Sequence, residues 1–329
     1  MHSHGTVRIG ISGWKYAGWR GEFYPSKLPQ RCELAYAAGI FGSIEINGTH
    51  YSLQRPESFA KWSDATPADF VFAVKGSRYI THMLRLERVR TPLANFFASG
   101  VLRLGAKLGP ILWQFPANFR FEPRRIESFL KLLPRDTDSA LALARRHDKR
   151  VSGRSWLKSG CHQALRHCME IRHASFGVPQ FVEMLRAYRI GLVCADTVEW
   201  PLLMDITSDF VYCRLHGSQE PYASGYDDRA LDTWAARVAA WAQGDEPKGA
   251  TRATRNFAPK VASRDVFVYF DNDAKVRAPF DALGLMSRVD KLLSGAPRGS
   301  TRVDDSRREA RNRERLGTAN ARRRQNTLK

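Results

Sequence analysis

Polar side chains alternate with apolar ones in several short, β-rich segments of the chain, and they concentrate where each segment ends. In residues 43–51, SIEINGTHY, Glu45 and Asn47 alternate with Ile44 and Ile46. In an extended strand the two isoleucines face one side and the polar pair faces the other. An acid and an amide that lead into a polar and aromatic loop are the side chains expected of a strand end that binds a ligand or takes part in catalysis.

The same arrangement recurs in other β-rich segments. The segment CMEIRH places Glu170 and Arg172 on one side, and DFVYCRLH ends in Arg214 and His216. Further segments contribute polar residues at their ends: Lys75, Gln114, Asp196, Asn272 and Asp273. If the strands are parallel, their carboxyl ends meet at one edge, and these side chains can form one site.

The order of predicted elements favours such a parallel arrangement. The predicted strands are 7–12, 43–47, 70–75, 110–115, 168–173, 190–196, 209–216 and 266–271. A strand, a polar loop and a helix repeated eight times predict parallel pairing and closure into a single (β/α)8 TIM-type barrel, whose active site lies at the carboxyl ends of the strands. The open alternative, a doubly wound sheet, usually has a glycine-rich phosphate loop after its first strand. The corresponding loop here is aromatic.

The predicted barrel spans residues 1–295, with irregular insertions at about 134–165 and 244–264. Residues 296–329 lack an apolar core and are predicted to be a disordered, basic tail. From residue 298 onward there are 11 Lys/Arg against 4 Asp/Glu, so the tail carries part of the net charge of +19. A basic surface favours polyanions without choosing among them.

Composition limits the remaining classes. The chain has 329 residues, 43% of them hydrophobic, but no apolar run of about 18 residues, so we expect no membrane span. The first ten residues show no secretion signal. Five cysteines without a C-x-x-C pair are interpreted as reduced thiols, which indicates a cytoplasmic protein.

Seven motifs together resemble one known family, and they occur in order over nearly all of residues 6–290. They are GISGWKYAGWRGEFYP, SIEINGTHYS, FVFAVKGSRYITH, LGPILWQFP, EIRHASF, YCRLHG and VYFDNDAKVRAPFDA. The chain resembles domain-of-unknown-function family 72, also called YecE-like proteins. The resemblance implies a TIM-type barrel but supplies no reaction, because the family has no established one. Two departures are His50, where the family usually has phenylalanine, and the basic tail.

Strand alternation predicts that the charged side chains point into the barrel, where an unpaired charge would be costly. Two interpretations remain open: a buried ion-pair network that fills the lumen, or a preformed polar pocket. For a pocket, Glu45 or Glu170 suits a general base and His173 or His216 a general acid, with Asp196 as a further catalytic carboxylate. Arg172, Arg214 and Lys75 suit a clamp on phosphate or carboxylate. The remaining residues predicted to contact substrate are Trp14, Tyr16, Trp19, Tyr24, Asn47, Thr49, Tyr51, His82, Gln114, Asn272 and Asp273.

The aromatic members of this set also have two interpretations. They can stack on a sugar or base, or they can simply pack a loop against the barrel top. Carboxylate and histidine ligands for a divalent metal are present, but none has a diagnostic local spacing, and the neighbouring cations oppose metal binding. We therefore predict no metal site and assign no cofactor.

The sequence favours an enzyme that uses acid–base chemistry, as a hydrolase, lyase or isomerase, on an anionic small molecule that bears phosphate or carboxylate. One alternative is a nucleic-acid-binding protein or nuclease, which the net charge, the tail and the aromatic loop would suit. The other is a barrel that binds a ligand without catalysis.

Overall fold

Eight parallel strands close into a barrel in the computed structural model, which describes residues 4–217, 224–273 and 275–295. Each strand pairs with its neighbours in sequence, and β1 pairs with β8 to complete the ring. The strands are β1 (Val7–Ser12), β2 (Ser43–Ile46), β3 (Val71–Lys75), β4 (Leu108–Gln114), β5 (His167–Glu170), β6 (Gly191–Asp196), β7 (Phe210–Leu215) and β8 (Asp265–Phe270). The predicted (β/α)8 barrel is confirmed.

Helices surround the barrel. Within the described residues they are α1 (Glu33–Ala38), α2 (Gly48–Tyr51), α3 (Pro56–Asp64), α4 (Arg90–Ala98), α5 (Pro123–Leu132), α6 (Thr137–Ala144), α7 (Pro179–Ala187), α8 (Asp228–Ala242) and α9 (Arg277–Leu293). Their apolar faces cover the outward side chains of the strands. In α5, for example, Phe129 is fully buried and packs edge-on against Trp113 of β4, with ring centroids 5.2 Å apart. Such packing fixes the strands and therefore the positions of their carboxyl ends.

One connection departs from the predicted repeat of strand, loop and helix. Residues 197–209, between β6 and β7, contain no helix. This segment is held instead by the connection after α8, because the Asp205 carboxylate accepts the backbone N–H groups of Ala253 and Thr254. Residues 244–264 contain no helix or strand, and residues 134–165 include α6.

The lumen of the barrel is filled by side chains of alternate strand residues. It holds a distinct apolar cluster: Ala73, Leu112, Cys168, Val193, Ala195, Trp200, Phe210, Tyr212, Phe267 and Tyr269. Inward side chains pack in layers in this way in TIM-type folds. The charged side chains at the carboxyl ends of the strands therefore rest on an apolar floor.

Two expectations concern the chain beyond this core. No helix in the described ranges has both the length and the apolar composition to cross a membrane. The predicted disordered tail, residues 296–329, lies outside the described residues.

Candidate active site

A single buried guanidinium organises the top of the lumen. Arg214, on β7, is fully excluded from solvent. Its Nη1 donates to Glu170 Oε2 at 2.6 Å, and its Nη2 donates to Glu45 Oε1 at 3.0 Å and to Asp271 Oδ2 at 2.6 Å. These carboxylates come from β5, from β2 and from the residue after β8. We call Arg214 and its three carboxylate partners the Arg214 cluster.

Glu45 is saturated with hydrogen-bond donors. Its Oε1 accepts the Ser12 hydroxyl at 2.5 Å in addition to Arg214, and its Oε2 accepts the Tyr212 hydroxyl at 2.6 Å. The side chain is fully buried. A carboxylate held by these donors in a dry environment stabilises the cluster. The structure thus places Glu45 beneath the surface of the site, in the floor.

Glu170 is held in a similar way from the other side of the lumen. Its Oε1 accepts Gln114 Nε2 at 2.7 Å and Arg172 Nε at 2.8 Å, while Oε2 binds Arg214. Burial favours the neutral acid, but Arg214 and Arg172 outweigh it and hold the pKa of Glu170 well below its usual range. Glu170 is therefore ionised at neutral pH, and both of its oxygens are engaged.

Asp271 and His216 complete this floor. His216 Nδ1 lies 3.2 Å from Asp271 Oδ2, the oxygen that also binds Arg214. Burial works against ionisation of Asp271, yet the charges of Arg214 and His216 hold its pKa below the usual range. The His216 ring packs edge-on against Trp200, with centroids 5.6 Å apart.

An open cavity of about 680 Å³ lies above the Arg214 cluster, at the carboxyl ends of the strands. It is lined by Gly13, Trp14, Lys15, Tyr16, Ile46, Asn47, Gly48, Tyr51, Gln54, Trp62, Lys75, Gln114, Arg172, Asp271 and Asp273. This volume suits a small molecule. The sequence left open a buried ion-pair network or a polar pocket. The structure contains both features, because the ion-pair network forms the floor of the pocket.

Lys75, the last residue of β3, is the least compensated charge in this cavity. Only 6% of the residue is exposed, and its amine has no hydrogen-bond or ion-pair partner in the part of the chain that the structure describes. Burial lowers the pKa of Lys75, and the positive charge of Arg214 lowers it further, against the opposing effect of the carboxylates.

Asp273 differs from Asp271 in the direction of its pKa shift, which is upward. Burial, reinforced by the negative charge of Asp271, raises the pKa of Asp273 to about 8. Its Oδ1 is buried and has no hydrogen-bond partner within the described residues. The neighbouring phenol of Tyr16 donates to the Ser12 carbonyl oxygen at 2.5 Å, and burial together with Asp273 raises the pKa of Tyr16. Asp273 is therefore a protonated acid at neutral pH that lines the cavity.

The structure brings most of the predicted substrate-contacting residues to this cavity and leaves three of them in packing roles. Trp19 is fully buried among Phe23 and Tyr24, with ring centroids 5.6 and 5.9 Å away. The Tyr24 hydroxyl donates to the Trp14 carbonyl oxygen at 2.7 Å. The Thr49 hydroxyl donates to the backbone carbonyls of Ile46 and Lys75. Trp19, Tyr24 and Thr49 therefore shape the loops around the cavity without lining it.

Two predicted residues face the helices instead. Asp196 Oδ2 accepts Trp234 Nε1 at 2.9 Å, because Asp196 has the same parity on β6 as Cys194, which packs in the outer core. Asn272 donates to Asp281 Oδ2 at 2.8 Å and is directed away from the lumen, one position after Asp271.

The two remaining histidines lie beside the site. His173 Nδ1 accepts the backbone N–H of Ser175 at 3.1 Å and so ends the loop after β5. His82 packs edge-on against His50, with centroids 5.2 Å apart. Burial, with the charge of Arg172, lowers the pKa of His82 to about 4, so its imidazole is neutral at pH 7.

Sequence reasoning missed three members of the site, Ser12, Tyr212 and Asp271. All three follow the lumen parity of their strands. For Asp271 that parity could not be read from the pattern alone, because the apolar residues of VFVYFD occupy both faces, whereas Ser12 and Tyr212 share the parity of Gly10 and Arg214 and were overlooked. Among the described residues, no three His, Cys, Asp or Glu side chains converge to hold a metal ion. The carboxylates surround Arg214 instead.

A second and larger cavity, about 1310 Å³, lies at the opposite end of the barrel, where the strands begin. Its lining includes six arginines: Arg8, Arg135, Arg166, Arg186, Arg189 and Arg264. It includes two aspartates, Asp209 and Asp265, and Arg166 binds both, at 3.0 and 2.7 Å. We call this basic cavity the N-terminal cleft.

Comparison with known proteins places the fold among related chains. The family model described as "Protein of unknown function DUF72" matches residues 8–302. Curated relatives include UPF0759 protein YunF of Bacillus subtilis, 28% identical over 118 residues, or 34% of this chain and 41% of the relative. UPF0759 protein YecE of Escherichia coli K12 is 29% identical over 131 residues, or 39% of this chain and 44% of the relative. The matched segments thus span less than half of these relatives.

Solved structures show the same architecture over almost the whole chain. A DUF72 family protein of Thermotoga maritima has a TM-score of 0.65 at 22% identity and covers 87% of this chain and 99% of its own. One from Enterococcus faecalis has a TM-score of 0.61 at 15% identity, with coverage of 91% and 100%. At these identities the likeness concerns the fold alone.

Proposed function

Since the chain belongs to the DUF72 family of proteins of unknown function, we propose an activity from its site: an enzyme that uses acid–base chemistry on a small anionic substrate in the cavity at the carboxyl ends of the strands. One observation carries the proposal. The cavity holds a protonated acid, Asp273, and the amine of Lys75, which has no ion-pair partner among the described residues, together with the guanidinium of Arg172. Groups whose pKa values are displaced in opposite directions in one cleft are typical of active sites.

The charges that line the cavity favour an anion. Lys15, Lys75 and Arg172 are its cationic residues, and Asp271 and Asp273 are its acids. Asp271 is bound to Arg214, and Asp273 is protonated at neutral pH, so neither acid opposes a bound anion as strongly as an exposed carboxylate would. Arg172, packed over the Trp200 ring at 4.2 Å, presents a fixed guanidinium suited to a carboxylate or phosphate.

The acid–base step in this proposal is assigned to Asp273. Its pKa of about 8 lies close to neutral pH, where a general acid donates and recovers a proton most efficiently. Glu45 and Glu170 hold Arg214 and form the floor, because their oxygens are already occupied by donors. Proton donation to a substrate oxygen fits a hydrolase, a lyase or an isomerase.

The test is a binding and turnover screen with the full-length protein. We expect small carboxylates and phosphates, such as pyruvate and inorganic phosphate, to raise the thermal unfolding temperature at constant ionic strength. Arg172→Gln should weaken this protection, whereas Arg288→Gln, on α9 and paired with Asp228 and Asp232 of α8, should not. Substrates would then be followed by NMR for conversion that Asp273→Asn abolishes. Protection without any conversion would favour the non-catalytic barrel, and equal protection in Arg172→Gln would contradict the proposed site.

The N-terminal cleft supports a second candidate function, the binding of a nucleic acid through its phosphates. Its six arginines face two aspartates, which are both occupied by Arg166. Arg135, Arg186 and Arg264 donate to backbone carbonyls, and this holds their charge at the cleft without neutralising it. Arg8 and Arg189 have no ion-pair partner in the described ranges.

The salt dependence of oligonucleotide binding tests this candidate. For single-stranded DNA, log K falls with log salt by about 0.7 for each phosphate contact. Arg8→Gln with Arg189→Gln in the full chain should reduce that slope by about this amount per lost contact. Lys149→Gln with Arg154→Gln, a pair that does not line the cleft, removes the same net charge and serves as the control. A reduction no larger than in the control pair would show that the cleft is not the binding surface.

A further inference from the structure

The amine of Lys75 has no hydrogen-bond or ion-pair partner among the described residues, although the charges of nearby carboxylates act to raise its pKa. Glu45, Glu170 and Asp271 lie on neighbouring lumen positions, but each of them is bound to Arg214. Asp273, the other acid of the cavity, is protonated at neutral pH. Lysine is rarely buried without a partner, because desolvation of an ammonium group is costly. Lys75 lines the cavity, so a molecule bound there can reach its amine.

The backbone that carries this amine is held in place. Lys75 ends β3, and its carbonyl oxygen accepts the Thr49 hydroxyl at 2.6 Å. Gly76, the next residue, packs so closely on Trp113 that an added Cβ would lie 2.3 Å from the indole ring. The backbone at the end of β3 is thus held by contacts on both sides. A side chain on a rigid strand end can be directed at a bound substrate reproducibly.

Burial and the charge of Arg214 both lower the pKa of Lys75. Its neutral form is therefore more populated at neutral pH than that of an exposed lysine. A neutral, desolvated lysine amine is a nucleophile, and its characteristic partner is a carbonyl carbon.

We propose that Lys75 forms an imine with the carbonyl group of a small aldehyde or ketone that bears a carboxylate or phosphate. This inference rests on the proposed function, since it assumes that the cavity binds the anionic part of the substrate. In this proposal Arg172 binds that anionic group, and Asp273, which lines the same cavity, is the proton donor. The substrate class is thereby narrowed to 2-oxo acids and to carbonyl compounds that carry phosphate.

The step balances with these residues alone. The Lys75 Nζ lone pair attacks the carbonyl carbon, and the carbonyl oxygen takes the proton of Asp273. The ionised Asp273 then recovers a proton from the nitrogen, which leaves a neutral carbinolamine. A second proton from Asp273 releases the hydroxyl group as water and produces the iminium. Amine, carbonyl and the Asp273 proton thus give the iminium, water and an ionised Asp273, with no oxidant or reductant. The iminium accepts electrons from an adjacent bond, so carbon–carbon cleavage or proton transfer can follow.

The cavity contains its own matched control. Lys15 also lines it but is exposed to solvent. An adventitious reaction of carbonyl compounds with lysine would favour the exposed amine. A specific binding site would favour the buried amine of Lys75. Labelling at Lys15 would therefore indicate reaction at an accessible amine, whereas labelling at Lys75 would indicate an amine activated by its surroundings.

Reductive trapping tests the inference on the full-length protein. The protein is incubated with pyruvate, and in parallel with dihydroxyacetone phosphate, in the presence of sodium cyanoborohydride. Intact mass and peptide mapping then locate the adduct. We expect a single adduct at Lys75, its loss in Lys75→Met and its retention in Lys61→Met, an exposed lysine of α3 that does not line the cavity. Methionine preserves the length and apolar stem of the side chain, and thermal unfolding of both variants verifies that they fold.

Binding measured without the reductant distinguishes failure of the imine assignment from failure of the proposed anion site. If the probes protect the wild-type protein but label Lys15 or scattered surface lysines, the imine assignment is wrong and the proposed anion site stands. If protection by the probes is absent as well, the proposed function fails together with the imine assignment. Labelling of the wild type that persists unchanged in Lys75→Met also overturns the inference.

Discussion

Arg214 and Glu170 form an ion pair of 2.6 Å between side chains that are both completely excluded from solvent. Glu45 and Asp271 share the same guanidinium. Burial of this many charges is tolerated only because each is matched and hydrogen-bonded. In this arrangement the carboxylates of the floor are matched by Arg214, and Lys75 has no hydrogen-bond or ion-pair partner of its own among the described residues.

Removal of Arg214 should destabilise the fold strongly. Arg214→Ala leaves three buried carboxylates without their common cation, and loss of one partner of a buried ion pair typically costs about 3–5 kcal/mol. Chemical denaturation at pH 7 measures the change in the free energy of unfolding. Arg288→Ala is the matched control, because Arg288 also pairs with two aspartates, Asp228 and Asp232, but both are largely exposed. The control should lose less than about 1 kcal/mol, and equal losses would contradict a structural role for the cluster.

Asp273→Asn should stabilise the protein increasingly as the pH rises. The pKa of Asp273 is about 8 in the folded protein and about 3.9 in an unfolded chain. Between these values the folded state binds one proton more than the unfolded state, so this group lowers stability as pH increases. Asparagine removes that dependence. Unfolding free energies at pH 5, 6.5, 8 and 9 should show a difference between variant and wild type that grows to about pH 8 and then levels off.

Asp271→Asn provides the opposite control two residues earlier. Because the pKa of Asp271 is depressed by Arg214 and His216 despite burial, its contribution to stability is fully present above its unfolded pKa of about 3.9. The contribution is lost as the pH falls toward the folded pKa. Asp271→Asn should therefore destabilise the protein by a constant amount between pH 6 and pH 8. Similar pH profiles for the two variants would show that the two acids do not differ as described.

The sequence identified the inward side chains where polar and apolar residues alternate strictly. Glu45 and Glu170 could be assigned to the lumen because isoleucine or methionine occupies the intervening positions. In β6 and β8 the pattern is apolar at nearly every position, since both faces of a barrel strand are buried. Asp196 was therefore predicted in the site although it binds Trp234, and Asp271 was missed although it binds Arg214.

Residue type could not separate packing from recognition in the aromatic loop. Trp14 and Trp19 are both tryptophans of the same motif, yet Trp14 lines the cavity and Trp19 lies in the core. Saturation of Glu45 likewise depends on Ser12 and Tyr212, which lie 33 and 167 residues away in sequence. Such long-range contacts come from barrel closure, so the sequence predicted which strand ends carry polar side chains more completely than which of these groups remain available.

Anion binding in the cavity should weaken as the pH rises through about 8. Ionisation of Asp273 places a new negative charge on the cavity wall. At an effective dielectric constant of about 20, a like charge about 8 Å away opposes a bound anion by about 2 kcal/mol. Dissociation constants for pyruvate at pH 6, 7, 8 and 9 measure the effect, because the charge of pyruvate is constant over this range. In Asp273→Asn the pH dependence should disappear, and a dependence that survives in this variant would assign it to another group.

The aromatic loop should divide into residues that hold the fold and residues that meet the ligand. Tyr24→Phe removes a buried hydroxyl that donates to the Trp14 carbonyl oxygen at 2.7 Å, which leaves a buried acceptor unsatisfied and should cost about 1–3 kcal/mol. Tyr51 lines the cavity mouth and is 68% exposed. Tyr51→Ala should therefore change stability by less than about 0.5 kcal/mol while it weakens pyruvate binding. Denaturation and binding measured on both variants would contradict this division if Tyr24→Phe lost affinity without stability, or if Tyr51→Ala lost stability without affinity.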